Sequence, residues 1–414
     1  MADFHQAGAV ATLHRLGQPN LEGLEQELTE YAKIQPIALV LPCLYSELEG
    51  PALRGIVEHL KRVPYLTEIV VALGRASALE FRRAKEYFKV LPQEVRLVWV
   101  DGPRVQDLLK TLVTQEIDVG LAGKGQSCWI AFGYVLARRR SKVLALHDCD
   151  IVSYQREYLA RLCYPIANPN LSYEFCKGYY TRVTDRLHGR VTRLFMTPLI
   201  MGLQQLVGPD PLLSFLESFR YPLAGEFAMV SDLAWINRIP GDWGLEIGVL
   251  AEVYRNCALR RICQADIADA YEHKHQALSA EDPNAGLLKM CVDIAKSLFR
   301  NLASEGVVLS EGALKTLRAT YLQAAQEAIR RYEDDAAINS LKFDRHQERT
   351  AVEAFLKGIK LATEVFLEDP LGVPMISNWS RVAAAVPDVF DQLREAVEQD
   401  HAWNPTVESE QVRA

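Results

Sequence analysis

Apolar positions form short unbroken runs in the first part of the chain and helical repeats in the last. The run IALVL at residues 37–41 is wholly apolar and ends at Pro42, the pattern of a strand buried on both faces of a parallel sheet. The same texture returns in EIVVAL (68–73), VRLVWV (95–100) and KVLALH (142–147). Amphipathic stretches lie between them, at residues 50–62, about 77–90, after the third strand, and at 124–140. The last closes on a basic turn that suits its C-terminal dipole. Strands alternating with helices at this spacing predict an α/β sandwich around a mostly parallel sheet. Residues 173–183 alternate polar and apolar and predict another strand, whereas 191–207 and 245–258 predict helices. Beyond about residue 278 strand signals nearly vanish, and 284–303, 311–333 and 344–368 carry helical periodicity.

This texture divides the chain into a helical lead-in (1–35), an α/β domain (36–278) and a helical C-terminal region (279–414). The α/β domain splits into halves of about 36–150 and 151–278. The C-terminal region is expected to pack on that domain or to form a homodimer contact, and the polar last ten residues to fray. At roughly 150 residues per domain, two or three domains are the prior for this length. Lys plus Arg is 46 and Asp plus Glu is 53, a net charge of −7, which speaks against a nucleic-acid coat. The N-terminus lacks a signal-peptide pattern. No stretch of about 18 apolar residues predicts a membrane span. None of the eight cysteines forms a C-x-x-C pair, so buried free thiols in a reducing cytoplasm are expected.

Six segments carry candidate chemistry. Asp148-Cys149-Asp150 follows the strand KVLAL-His147. In an extended segment residues i and i+2 point the same way, so both carboxylates project from the sheet edge where α/β proteins bind ligands. Such an oxygen-rich site suits Mg²⁺ or Mn²⁺ with a diphosphate completing the shell. The bland alternative is a chance Asp-x-Asp. Leu41-Pro42-Cys43-Leu44, with Glu47 behind, reads as a loop at the same edge, able to meet a base or simply to turn. Gly123-Lys124-Gly125 opens a long helix, an arrangement that favours phosphate but is not a Walker A motif. Gly189-Arg190-Val191-Thr192 sits at a loop-to-helix transition and could grip an anion. It equally reads as a solvated basic turn. Glu226 and Glu246 are acidic residues in apolar surroundings, paired structurally or functional. Glu272-His273-Lys274-His275 places two histidines two apart, with no common zinc spacing.

In this order, LP-x-L, GKG, D-x-D, GRVT, GE-F-A, GLEIG and a His-basic motif, the segments resemble the glucosyl-3-phosphoglycerate and mannosyl-3-phosphoglycerate synthases of glycosyltransferase family 81. The resemblance spans about residues 36–276; GRVT and G-x-EIG are its specific elements. It implies a retaining GT-A glycosyltransferase domain, a nucleotide-sugar donor (UDP-glucose favoured), a 3-phosphoglycerate acceptor, and a divalent cation, Mg or Mn. By residue, it implies that Pro42, Cys43, Leu44 and Glu47 hold the uridine and that Lys124 lies near the diphosphate. Asp148, Cys149 and Asp150 would frame the ribose and metal, with Asp150 and His273 as the protein's metal ligands. Gly189, Arg190, Val191 and Thr192 would hold the acceptor phosphate, with His275 on the acceptor side. Glu246 would hydrogen-bond the transferred sugar; Glu246, Asp150 and Lys124 form the catalytic set. Two features depart from the pattern. Tyr271 and His275 stand where the family often has Arg and Asn, and the second strand ends Leu73-Gly74-Arg75. Donors with another base or with mannose, and glycerate as acceptor, stay open. The rival of another class is a sugar-phosphate nucleotidyltransferase, which needs a Gly-rich loop that LPCLYSELEG lacks.

Overall fold

A computed structural model describes residues 6, 8–17, 20–240, 244–269, 271–272, 286–372 and 375–403. The strands among them are β1 Ala11–Leu13, β2 Ile37–Leu44, β3 Leu66–Gly74, β4 Glu94–Trp99, β5 Val143–Leu146, β6 Phe175–Tyr180, β7 Phe227–Val230 and β8 Ile262–Ala268. They form one sheet in the order β1-β8-β6-β7-β5-β2-β3-β4. All pairings are parallel except those of β7, which runs antiparallel to β5 and β6.

The unbroken apolar runs exist because both faces of the sheet are covered. Ile37, Leu39 and Leu41 of β2 enter one core, while Ala38 and Val40 enter the other. The first core is closed by the helices Leu21–Tyr31, Pro51–Leu60, Ala78–Phe88 and Arg156–Ala167. The second lies under Pro103–Thr114, Lys124–Arg138, Leu245–Asn256 and the C-terminal helices. Local chemistry starts several of these helices. Pro51 and Pro103 occupy first-turn positions, and Ser77 with Glu80 forms a reciprocal capping box.

The structure departs from the pattern-based expectation in four places. The first 35 residues are not only a helical lead-in, because Ala11–Leu13 adds a strand beside β8. Three residues are too few for periodicity to register. Leu41-Pro42-Cys43-Leu44 is not a loop, because β2 continues to Leu44 and pairs with β3 throughout. Proline is tolerated there for a geometric reason. The Val40 carbonyl accepts from His147 N on the β5 side, so the Pro42 nitrogen faces that side too, where β5 has ended at Leu146. β7 and β8 carry no strong strand signature, and tertiary pairing defines them. Residues 191–207 are helical, but Val191–Met196 is a π-helix that leads into the α-helix Thr197–Val207.

The C-terminal helices pack on the α/β unit. Trp379 stacks on Trp129 with ring centroids 4.2 Å apart, and Trp379 Nε1 donates to the Trp129 carbonyl at 3.0 Å. The helix Val389–Ala402 lies on β4 and on the helices Pro103–Thr114 and Lys124–Arg138. The helix Glu311–Ile338 packs on Thr197–Val207, and Tyr321 donates its hydroxyl hydrogen to the Leu194 carbonyl at 2.8 Å. No helix among the described residues is long and apolar enough to cross a membrane.

Candidate active site

The C-terminal edge of the parallel strands collects the charged residues. Asp148 and Asp150 follow β5, and their partial exposure alternates with the buried His147 and Cys149, as period-two geometry requires. Lys124 opens the helix Lys124–Arg138, and Glu246 lies in the first turn of Leu245–Asn256. The Lys124 ammonium is 2.7 Å from Asp148 Oδ1 and 3.3 Å from Glu246 Oε1. The helix starts and the β5 edge, far apart in sequence, thus meet on one cation. Burial works against the charge on Lys124, but Asp148 and Glu246 hold it well above the ordinary lysine range.

Asp150 behaves in the opposite way. Burial and the neighbouring Asp148 charge push its carboxyl up to about 7, against the pull of Lys124. Two carboxylates crowded in this way fit a divalent cation, whose charge removes the repulsion. Among the described residues no three His, Cys, Asp or Glu side chains converge on a common metal position. His273 and His275 lie outside the described residues, so their placement as metal ligand and acceptor group is not described.

Glu226 is 1% exposed and accepts hydrogen bonds from Tyr271 Oη at 2.5 Å and Tyr180 Oη at 2.9 Å. The two tyrosine rings stack with centroids 3.6 Å apart. Burial raises the Glu226 carboxyl, Asp148 adds to it, and the tyrosine hydrogen bonds oppose it. Gly225 is needed here, since a Cβ at that position would overlap the Asp148 carboxylate.

Of the other predicted residues, Pro42, Cys43 and Leu44 end β2, and Glu47 sits in the short 3₁₀ turn Tyr45–Glu49. Glu47 is close enough for its charge to push the Asp150 carboxyl further up. The Cys149 thiol hydrogen-bonds with Cys43 and is pushed well up by that contact and by burial. All eight cysteines are buried and free. Gly189 adopts φ +71°, a conformation that glycine takes without strain. It turns the chain into the π-helix that carries Val191 and Thr192. Arg190 makes no ion pair with the Lys124 cluster; Arg190 Nε is 2.7 Å from Glu348 Oε1 in the helix Arg345–Glu368.

Three further residues that contact the predicted site segments carry little or no sequence signal. Lys177 on β6 is 1% exposed and donates to the Ala224 carbonyl at 2.5 Å. Burial lowers its ammonium to about 8, while Glu246 and Glu226 counteract the drop. Its only sequence signal is a lysine within the otherwise apolar and aromatic FCKGYY. Tyr180 had no signal at all, and Glu348 looks like any charged position on an amphipathic helix.

A mostly parallel sheet with a carboxylate pair after a central strand, and a lysine on the facing helix start, fits the GT-A type of glycosyltransferase fold, and the comparisons with known proteins give that class. No protein-family model matches the chain. It is 48% identical over 402 residues to a glucosyl-3-phosphoglycerate synthase of Persephonella marina, covering 97% of this chain and 100% of that protein. It is 41% identical over 399 residues to one from Methanococcoides burtonii, covering 95% and 97%. The chain belongs to the glucosyl-3-phosphoglycerate synthase family. The fold is shared with the Mycobacterium tuberculosis enzyme solved with Mn²⁺, UDP-glucose and phosphoglyceric acid (TM-score 0.52, 22% identity, 73% of this chain and 90% of that one). It is also shared with mannosyl-3-phosphoglycerate synthase from Rubrobacter xylanophilus (TM-score 0.51, 20% identity, 69% and 80%).

Proposed function

We propose that this enzyme transfers glucose from UDP-glucose to 3-phosphoglycerate with retention, in a divalent-metal-dependent reaction. The observation that carries the reading is the convergence of Lys124, Asp148 and Glu246 on one point of the sheet edge, in a chain whose full-length relatives bear that activity in their names. Asp150 and His273 would hold the cation. When bound, it supplies Lewis-acid stabilisation of the charge that develops on the leaving diphosphate.

The residues of the chain would divide the remaining work. Pro42, Cys43, Leu44, Glu47, Asp148 and Cys149 line the nucleotide side. Lys124, already held cationic by its two carboxylates, would face the diphosphate. Gly189, Arg190, Val191 and Thr192 would hold the acceptor phosphate, with His275 beside them. The Thr192 hydroxyl is buried and has no hydrogen-bond partner among the described residues. Glu246 would accept hydrogen bonds from sugar hydroxyls. The transition state is oxocarbenium-like, as in glycosidases. The acceptor hydroxyl would attack on the face the diphosphate leaves and give its proton to a donor phosphate oxygen, so the configuration is retained.

A donor-by-acceptor matrix, run with and without Mg²⁺ or Mn²⁺ and read as released nucleoside diphosphate, tests the function. It includes GDP-, ADP- and mannosyl donors and unphosphorylated glycerate. No turnover with any phosphoglycerate would sink the reading. The anomeric coupling constant of the product tests retention. For Glu246→Gln the expected result is a raised KM with residual turnover; a fully dead but folded enzyme would count against the positioning role and favour Glu246 as a nucleophile. The reading also takes the protein as cytoplasmic, which suits eight free thiols. It takes it as a homodimer as well, with the C-terminal helical region as the candidate contact. Sedimentation at several concentrations tests the dimer.

A further inference from the structure

The GRVT segment is not held by the sheet domain alone. Glu348, from the helix Arg345–Glu368, is 4% exposed. Its two oxygens are divided between two arginines: Arg190 Nε donates to Oε1 at 2.7 Å and Arg193 Nη2 to Oε2 at 3.0 Å. The neighbouring Gln347 Oε1 accepts from Arg190 Nη2 at 3.2 Å. Arg193 is fixed on its other sides, donating from Nε to the His188 carbonyl at 2.8 Å and stacking over the Tyr332 ring at 4.8 Å. Gln347 and Glu348 thus engage the Nε and Nη2 edge of Arg190, and its Nη1 group donates to none of the described residues. A guanidinium with one edge pinned and the other open is preorganised for an oxyanion, because little side-chain freedom is left to lose on binding.

We propose that Glu348 is a positioning residue for acceptor binding: it orients Arg190 from the C-terminal helical region, so that the helices beyond the sheet domain form part of the acceptor site. The inference rests on the reading of Arg190 as an acceptor-phosphate group. Glu348 touches no substrate in this scheme and acts only through Arg190 and Arg193. Its near-complete burial and its second arginine distinguish it from a surface counter-ion that an incoming phosphate would displace.

The test is steady-state kinetics on the full-length enzyme, varying 3-phosphoglycerate and UDP-glucose separately, with thermal stability recorded for every variant. Glu348→Gln is expected to raise the KM for 3-phosphoglycerate by about tenfold or more, the scale of a lost charge-assisted hydrogen bond. The KM for UDP-glucose should stay within about twofold. Glu348→Asp should recover part of the loss. Gln347→Met, at an exposed position, keeps the test alive if Glu348→Gln does not fold, and should raise the same KM by a smaller factor. Arg190→Met separates the two layers of the argument. If it leaves the acceptor KM unchanged, the acceptor reading of Arg190 fails. If it raises that KM while folded Glu348→Gln and Gln347→Met do not, or while they lower it, the positioning role is overturned.

Discussion

Asp148 is held between Lys124 on one side and the bare backbone of Gly225 on another. Alanine at 225 would put a methyl group into the carboxylate. Gly225→Ala is therefore expected to cut kcat by roughly 100-fold, since displacements of about 1 Å at a reacting centre cost that much. The far-UV circular dichroism should not change; full activity in the variant would show that Asp148 has room to spare. Residue chemistry was partly legible beforehand. Period-two spacing predicts Asp148 and Asp150 on one side of an extended segment, and in the structure both are half-buried, with the buried Cys149 between them. The Lys177 ammonium was not legible, because a lysine in an alternating strand reads as solvent-facing. Here it is enclosed and donates to the carbonyl of Ala224, next to Gly225.

The elements were predicted best where burial on both faces made them continuous. β2, β3, β4 and β5 announce themselves as apolar runs, whereas β1 and β7 are three and four residues long and become strands only through their neighbours. The π-helix at Val191–Met196 has no periodic signature of its own, since one wider turn inside a helix shifts the pattern by a single residue. Helix docking is equally hidden. The helix Lys124–Arg138 accepts the Trp379 indole only because residue 133 is glycine, where a Cβ would overlap the ring. Gly133→Ala should cost about 1–3 kcal/mol by overpacking. It would be seen as a lower Tm in calorimetry, whereas an unchanged Tm would mean that the Trp129–Trp379 stack is not close-packed in solution.

At the scale of the whole molecule, the last described helix closes over the β4 edge of the sheet. The His401 carbonyl, near the end of Val389–Ala402, accepts from Lys85 Nζ at 2.8 Å. Burial, with Arg96 and Lys85 nearby, lowers the His401 imidazole to about 4, and burial alone brings His147 to about 4 against the pull of Asp148. Unfolded histidine titrates near 6.5, so between about pH 4 and 6.5 the unfolded chain binds more protons than the folded one. Their contribution is complete above that window and is lost as pH falls through it. Asp150, raised to about 7, acts in the opposite sense, so the comparison with a variant is the informative one. His401→Gln should flatten the fall in Tm between pH 6.5 and 4 without altering activity at pH 7.5. Parallel Tm profiles for the two proteins would contradict the assignment.

The sequence by itself determined the parallel α/β core, the run of helices after it, and the carboxylate pair at a strand end. These follow from periodicity, caps and burial within a few neighbouring residues. Only the tertiary structure decided that Lys124 joins Asp148 to Glu246, or that Arg190 answers to a glutamate 158 residues away and Trp379 to a tryptophan 250 residues away. Such pairs leave no local period, because the free energy that selects them comes from desolvating matched groups that the chain brings together only when its layers close.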